Sequence, residues 1–342
     1  MDRSDARDNS AASWHSRDVA GPGRLLAGID FGGTKCAVVL GRDTGDILAE
    51  SRIEDWASGD PERDLAVLVD EVRSIARQTD TRLAEIAALG VSSPGPLDSS
   101  TGIVIDAPNL PGWRNFPLRS RLEAELGLPV RVENDANAAA LAEWRHGAGQ
   151  GARSLVFLTM STGVGAGLIF DGRLYRGAHF EAGEIGHVPV VLDGRACSCG
   201  LRGCLEAYVG GAALADRMRE DVEQGRAAAI LELAGGNPER ISARVWAEAV
   251  RARDPYALEL REDFLDHLAQ GLAILIIALD PERIVLGTII RENPDLFLGE
   301  IRARTRARIR PELRDIRIEP AALGARLPAY AALSVAALDG SE

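Results

Sequence analysis

Four residues of metal-binding type lie close together in this chain: His187, Cys197, Cys199 and Cys204. One imidazole and three thiolates are the soft donors that a tetrahedral zinc takes. The Cys-x-Cys spacing is tighter than the commoner Cys-x₂-Cys, but Gly200 and Gly203 let the chain wrap around an ion. With all four positions filled by protein, such a zinc is structural. The other reading, a set of buried thiols, is disfavoured by their clustering. Glu184 precedes the cluster and Glu206 follows it. A zinc would hold these two carboxylates and an imidazole edge toward one place. That suits a sugar, whose neighbouring hydroxyls donate to carboxylates. Failing that, both are ordinary surface residues.

Two glycine loops add a second kind of chemistry. Asp30-Phe31-Gly32-Gly33-Thr34-Lys35 lies between two apolar runs read as strands. It is not a Walker loop, which joins a strand to a helix and spaces its glycine and lysine further apart. Glycines in a hairpin turn still let backbone N–H groups approach phosphate. Asp30, at the loop mouth, can hold magnesium through water. Thr159-Met160-Ser161-Thr162-Gly163-Val164-Gly165 has the same form, with hydroxyls added. Either loop alone is equally an ordinary turn; together, one opening each half of the chain, they suit a nucleotide held from both sides. Glu133-Asn134-Asp135-Ala136-Asn137 runs from a strand into a helix. Asp135 there can take a proton from a substrate hydroxyl, and Asn134 can orient one; both can equally cap the helix. Asn109, in the rigid loop 108–113, can reach a ligand, whereas Trp113 is expected to pack.

These groups need a scaffold, and the periodicity describes a mixed α/β chain. Residues 1–24 are polar and aperiodic, and are expected to form a disordered tail. Strands are expected at Leu25–Ile29, Cys36–Leu40, near Ile47, at Ala87–Val91 and at Val130–Val132, with helices over 62–79, around Leu118 to Leu126 and over Asn134–Trp144. The pattern then restarts. Strands at Ser154–Met160 and Gly165–Phe170 lead to helices at Leu205–Glu223, Ser242–Ala252 and Tyr256–Leu279. A strand at Ile284–Leu286 and helices over 294–309 and Tyr330–Leu338 follow. Two halves, each opening with a strand and a glycine loop, imply a duplicated architecture with a cleft between.

Bulk properties agree. At 342 residues the chain has room for two domains. Its net charge of −12 argues against a nucleic-acid or anionic-membrane surface. No apolar run approaches the ~20 residues of a membrane span, and the N-terminus lacks the apolar core of a secretory signal. Only four cysteines are present, three of them clustered, which points to a reduced compartment.

In order and spacing these motifs resemble the ROK family, a branch of the actin-like ATPase and sugar-kinase superfamily. The resemblance covers about residues 25–340. It rests on Asp30 to Lys35, Ser92-Ser93-Pro94-Gly95-Pro96-Leu97, Asn109 to Trp113, Glu133 to Ala138, Leu158 to Gly165, Glu184-Ile185-Gly186-His187, Cys197 to Cys204 and Asp280 to Gly287. It implies a two-lobed actin-like ATPase (ribonuclease H-like) α/β fold, with mixed sheets flanked by helices and a cleft between the lobes. A smaller lobe would cover 25–146, joined by a C-terminal helix 328–340. A larger lobe would cover 147–327 and carry the zinc segment 187–204. The implied activity is ATP-dependent phosphorylation of a hexose, first of all the 6-hydroxyl of glucose, with Asp135 as general base. Asn109, Asn134, Asp135, Glu184, His187 and Glu206 match sugar-contacting positions, His187 serving zinc and sugar through its two ring nitrogens. Asp30, Gly32, Gly33, Thr34 and Lys35, with Ser161, Thr162, Gly163 and Gly165, match the phosphate loops; Gly287 and Thr288 fall where adenosine packs. ATP, magnesium, structural zinc, a cytoplasmic location and a homodimer or tetramer complete the expectation.

Two departures from the family pattern carry expectations of their own. Gly287-Thr288-Ile289 stands where members often carry three glycines, so Ile289 is expected to crowd the nucleobase and bring the ATP donor into question. Pro328 is expected to delay the last helix. Other family readings remain: kinases for N-acetylmannosamine, N-acetylglucosamine, mannose or fructose; a non-catalytic sugar sensor, expected to lose Asp135 or a phosphate loop; and a repressor, for whose DNA-binding module residues 1–24 leave no room. A polyphosphate-using kinase needs a basic track, and the one strongly basic run, Arg302 to Arg310, reads as a solvated helix face.

Overall fold

The computed structural model describes residues 23–32, 35–107 and 110–339. The expected tail, apart from its last two residues, therefore lies outside the described residues, as do Gly33, Thr34, Asn109 and residue 340.

In the first half, β1 (Leu25–Phe31), β2 (Lys35–Arg42) and β3 (Ile47–Glu54) form an antiparallel meander. Helix α1 (Pro61–Gln78) then returns the chain to β4 (Ala88–Ser93), parallel to β1. Three short strands, β5 (Leu97–Asp98), β6 (Ile103–Asp106) and β7 (Arg114–Phe116), make a small separate sheet. Helix α2 (Leu118–Leu126) leads to β8 (Val130–Asn134), parallel to β4. The sheet order is β3-β2-β1-β4-β8. Helix α3 (Asp135–His146) follows directly on β8.

The second half repeats this order. Strands β9 (Leu155–Met160), β10 (Val164–Phe170) and β11 (Arg173–Tyr175) form the meander. A long excursion holds helices α4 (Glu206–Val209), α5 (Gly211–Glu223), α6 (Ala228–Leu233), α7 (Ala243–Arg251) and α8 (Pro255–Leu279). Then come β12 (Arg283–Leu286), α9 (Thr288–Glu292), α10 (Pro294–Arg308), β13 (Arg317–Pro320) and α11 (Leu327–Ala336). The second sheet runs β11-β10-β9-β12-β13, with two antiparallel and two parallel pairings, as in the first.

The two halves exchange helices. α3, which chain order groups with the first sheet, lies against β9 and β10 of the second, whereas α11 lies against β1 and β4 of the first. The two helices also pack on each other through small residues, among them Ala138, Leu141, Ala142, Ala331 and Val335. Close approach requires glycine beneath each. A Cβ on Gly90 would overlap Ala332 and Ala336 of α11, and one on Gly167 would overlap Ala140 of α3. Each half has its own core besides: Phe31, Trp56 and Trp113 in the first, Trp246, Phe264 and Phe297 in the second.

Three expectations are corrected. The helix expected over Leu205–Glu223 breaks at Gly210, whose ψ of 141° is extended. The last helix starts at Leu327, not Tyr330, because Pro328 sits in its first turn, where a missing N–H costs no hydrogen bond. Ile289, expected to crowd a nucleobase, is instead buried in the core of the second half.

Candidate active site

Asp135 opens α3 at the C-terminal end of β8, a rigid place to mount a side chain. Asn134 is the cap: its Oδ1 accepts from Ala136 N at 2.9 Å and more weakly from Asn137 N. Capping frees Asp135, whose side chain is exposed to solvent. Protein still crowds it enough that desolvation raises its carboxyl above the ordinary range, opposed by a 2.8 Å hydrogen bond from Ala136 N. A carboxylate whose proton affinity is raised is a better base near neutral pH.

The other expected carboxylates converge on it. Asp30, at the end of β1, is raised to about 6, first by burial; a Ser92 hydrogen bond lowers it and the charge of Asp135 raises it again. Glu184 is raised by burial, against the pull of His187, with Glu181, Glu206 and Asp135 adding repulsion. Asp135 thus acts on both Asp30 and Glu184, and Glu206 acts on Glu184, although the four come from separate segments. Two of them also meet the glycine loops: Asp30 leads into the first, and Glu206 binds the second. Gly32 N donates to Lys35 O at 3.1 Å, closing the first turn, and Trp56 Nε1 holds Gly32 O at 2.8 Å. Lys35 itself turns to Glu54, 3.1 Å away on β3. In the second loop Ser161 and Thr162 are exposed, and their carbonyls accept from Gly211 and Ala212 at the start of α5. Glu206 Oε2 accepts from Val164 N at 2.8 Å, and a Cβ on Gly163 would push that carboxylate aside.

The four metal-type side chains come together. The ligand atoms of His187, Cys197, Cys199 and Cys204 all lie within 4.8 Å of one another. Cys197 Sγ is 3.7 Å from His187 Nδ1, and Cys199 Sγ is 3.8 Å from Cys204 Sγ. A turn gathers them, with Cys197 N on Leu201 O and Gly203 N on Arg195 O. Gly203, at φ +76°, passes so close to Val191 O that no side chain fits. This donor set fits one tetrahedral zinc with no position left over. The outer nitrogen of His187, Nε2, points instead to Glu184 at 3.8 Å, toward the carboxylate group. Glu206 Oε1 accepts from Ser198 Oγ at 3.0 Å, so Glu206 ties the cysteine turn to the second glycine loop.

Thr288 opens α9 beside Gly287. Its hydroxyl is 2.8 Å from that of Thr159, and its φ of +36° is unusual for a branched residue. Gly287 beside it is buried, its N–H on Leu158 O.

A model of the ROK family matches residues 26–337. The chain belongs to the ROK family. A glucokinase of Streptomyces coelicolor is 36% identical over 281 residues, 81% of this chain and 86% of the relative. A solved ROK glucokinase of Streptomyces griseus, in complex with glucose and AMPPNP, superposes with a TM-score of 0.75 at 34% identity, covering 91% of this chain and 99% of the other. A xylose repressor of Caldicellulosiruptor bescii is 30% identical over 277 residues, 81% of this chain and 69% of the repressor. The actin-like ATPase fold of the ROK family thus holds for this chain.

Several residues around these carboxylates were invisible to spacing alone. Ser92 reaches Asp30, Ser198 braces Glu206, and Arg176 pairs with Glu133 at 2.7 Å. Ser92 and Ser198 stood within recognised loops, but nothing in the sequence couples Arg176 to a residue 43 positions earlier. A cavity of about 810 Å³ adjoins the cysteine turn, lined by Cys197, Ser198 and Glu206 together with Arg195, Arg217 and Arg226. None of Asp30, Asp135 or Glu184 lines it, and its arginines are already paired with Asp221 and Asp263. The basic run on α10 is likewise engaged: Arg304 and Arg308 reach Asp266 at 3.0 and 2.7 Å.

Proposed function

We propose that this ROK protein is an ATP-dependent hexose kinase, with the 6-hydroxyl of glucose as acceptor and Asp135 as general base. The observation that supports this reading is that Asp135, mounted where β8 enters α3, acts on both Asp30 and Glu184, while Glu206 holds the second glycine loop through Val164 N. Glu184 and the Nε2 edge of His187 supply partners for adjacent sugar hydroxyls, and Asn134, its Oδ1 committed to the cap, keeps an amide N–H₂ for another. Held this way, the reacting hydroxyl gives its proton to Asp135 as its oxygen attacks the terminal phosphorus, and ADP leaves with the bridging oxygen. The exposed Ser161 and Thr162 hydroxyls and the N–H groups of their loop would take the charge gathering on phosphate oxygens. Magnesium, for which Asp30 is the candidate carboxylate, would neutralise part of that charge. Zinc on His187, Cys197, Cys199 and Cys204 would fix the turn carrying Glu206.

The relatives named glucokinase support glucose; the burial of Ile289 in the core supports ATP, since it removes the one steric objection to the nucleobase. The test is ADP release with Mg-ATP across hexoses and N-acetylhexosamines. Turnover on glucose well above the rest is expected. Preference for another sugar corrects the substrate, and no turnover on any sugar from folded, zinc-loaded protein overturns the kinase reading.

A further inference from the structure

Glu133 sits two residues before Asp135 and is 2% exposed, a carboxylate taken almost wholly out of water. Such a group survives only if paired and hydrogen-bonded. Its Oε2 accepts from Arg176 Nε at 2.7 Å, with the Arg176 side chain itself only 16% exposed. Its Oε1 accepts from Asn134 N and from Asn137 Nδ2, both at 3.0 Å. The ion pair therefore grips the backbone on one side of Asp135 and a side chain of the first α3 turn on the other. Arg176 comes from the opposite half, directly after β11. Its own carbonyl accepts from Ala182 N at 3.1 Å, inside the segment that carries Glu181 and Glu184. One residue thus joins the turn bearing the base to the segment bearing a sugar carboxylate.

We propose that Arg176 is a positioning residue for phosphoryl transfer, holding Asp135 in register with the substrate through Glu133. The inference rests on the reading of Asp135 as general base. A bidentate-capable, permanently charged guanidinium suits the role: it stays ionised in a buried site and fixes direction as well as charge. A lysine keeps the charge but not the direction. An arginine that merely stabilised the fold would leave the turnover of each folded molecule untouched.

The experiment compares Arg176→Met and Arg176→Lys with wild type, using kcat per folded, zinc-loaded molecule, sugar Kd and thermal unfolding. For Arg176→Met, kcat is expected to fall at least tenfold with sugar Kd changed less than threefold, and Arg176→Lys is expected to recover part of the loss. Should Arg176→Met fail to fold, Arg176→Lys and the paired neutral change Glu133→Gln/Arg176→Met carry the test, each expected to lose at least threefold in kcat. Wild-type kcat in any folded variant overturns the proposal, whatever happens to the melting temperature; so does a change confined to sugar binding. Asp135→Asn separates the two readings: if it is inactive while the Arg176 variants are not, only the positioning role fails, and if it is active, the base assignment fails first.

Discussion

Replacing Asp30 by Asn should make this protein more stable and less active at once. In the folded chain Asp30 titrates near 6 instead of 3.8, chiefly because burial disfavours its charge. The folded state therefore holds a proton between those values that the unfolded chain has released. Stability falls as pH rises from about 4 to 6, and the full cost stands at neutral pH. A shift of about two units is worth about 3 kcal/mol, an upper figure for a side chain that keeps some contact with water. Asparagine is nearly the same shape, can still meet Ser92, and carries no charge to desolvate. Urea unfolding of both proteins without magnesium or nucleotide should show no difference near pH 3.5 and a gain approaching 3 kcal/mol for Asp30→Asn at pH 7.5. ADP release at pH 7.5 should fall at least tenfold, with a higher magnesium requirement. A gain that is absent, or equal at both pH values, refutes the electrostatic argument; unchanged magnesium dependence refutes the assignment of Asp30.

Other consequences are as direct. Cys199→Ser should lower zinc from one per chain to well below that and weaken sugar binding, through the loosened Ser198–Glu206 contact; unchanged metal content would falsify the zinc assignment. Gly90→Ala pushes a methyl into Ala332 and Ala336 of α11 and should cost about 2 kcal/mol or more in unfolding; a loss under about 0.5 kcal/mol would mean that α11 does not sit tightly on the first sheet.

Much of the site was legible because its chemistry is local. Glycine loops, a strand-to-helix carboxylate and a cysteine cluster each sit within a few residues, where spacing reports geometry. The capping role of Asn134 was one of two open readings, and its 2.9 Å bond to Ala136 N selects it without displacing Asp135. The repeated strand order followed from the restart of the pattern near residue 154. What escaped was non-local. The docking of α3 on the second sheet depends on Gly167, which periodicity treats as a weak point in a strand; that of α11 on the first sheet, over Gly90, was expected only through the family resemblance. Arg176 and Glu133 meet only because the residue following β11 reaches the end of β8 from the other half. Pro328 and Ile289 misled for the same reason: a proline's cost depends on its place in a helix, and an isoleucine's effect on which side of the backbone it falls.

The central claim is that Asp135 takes the proton from the acceptor hydroxyl, and Asp135→Asn tests it most directly. Measured with Mg-ATP at saturating sugar, kcat should drop at least about a hundredfold, the range of general base catalysis, while sugar Kd stays within threefold of wild type. Near-normal turnover by the folded variant would contradict the account.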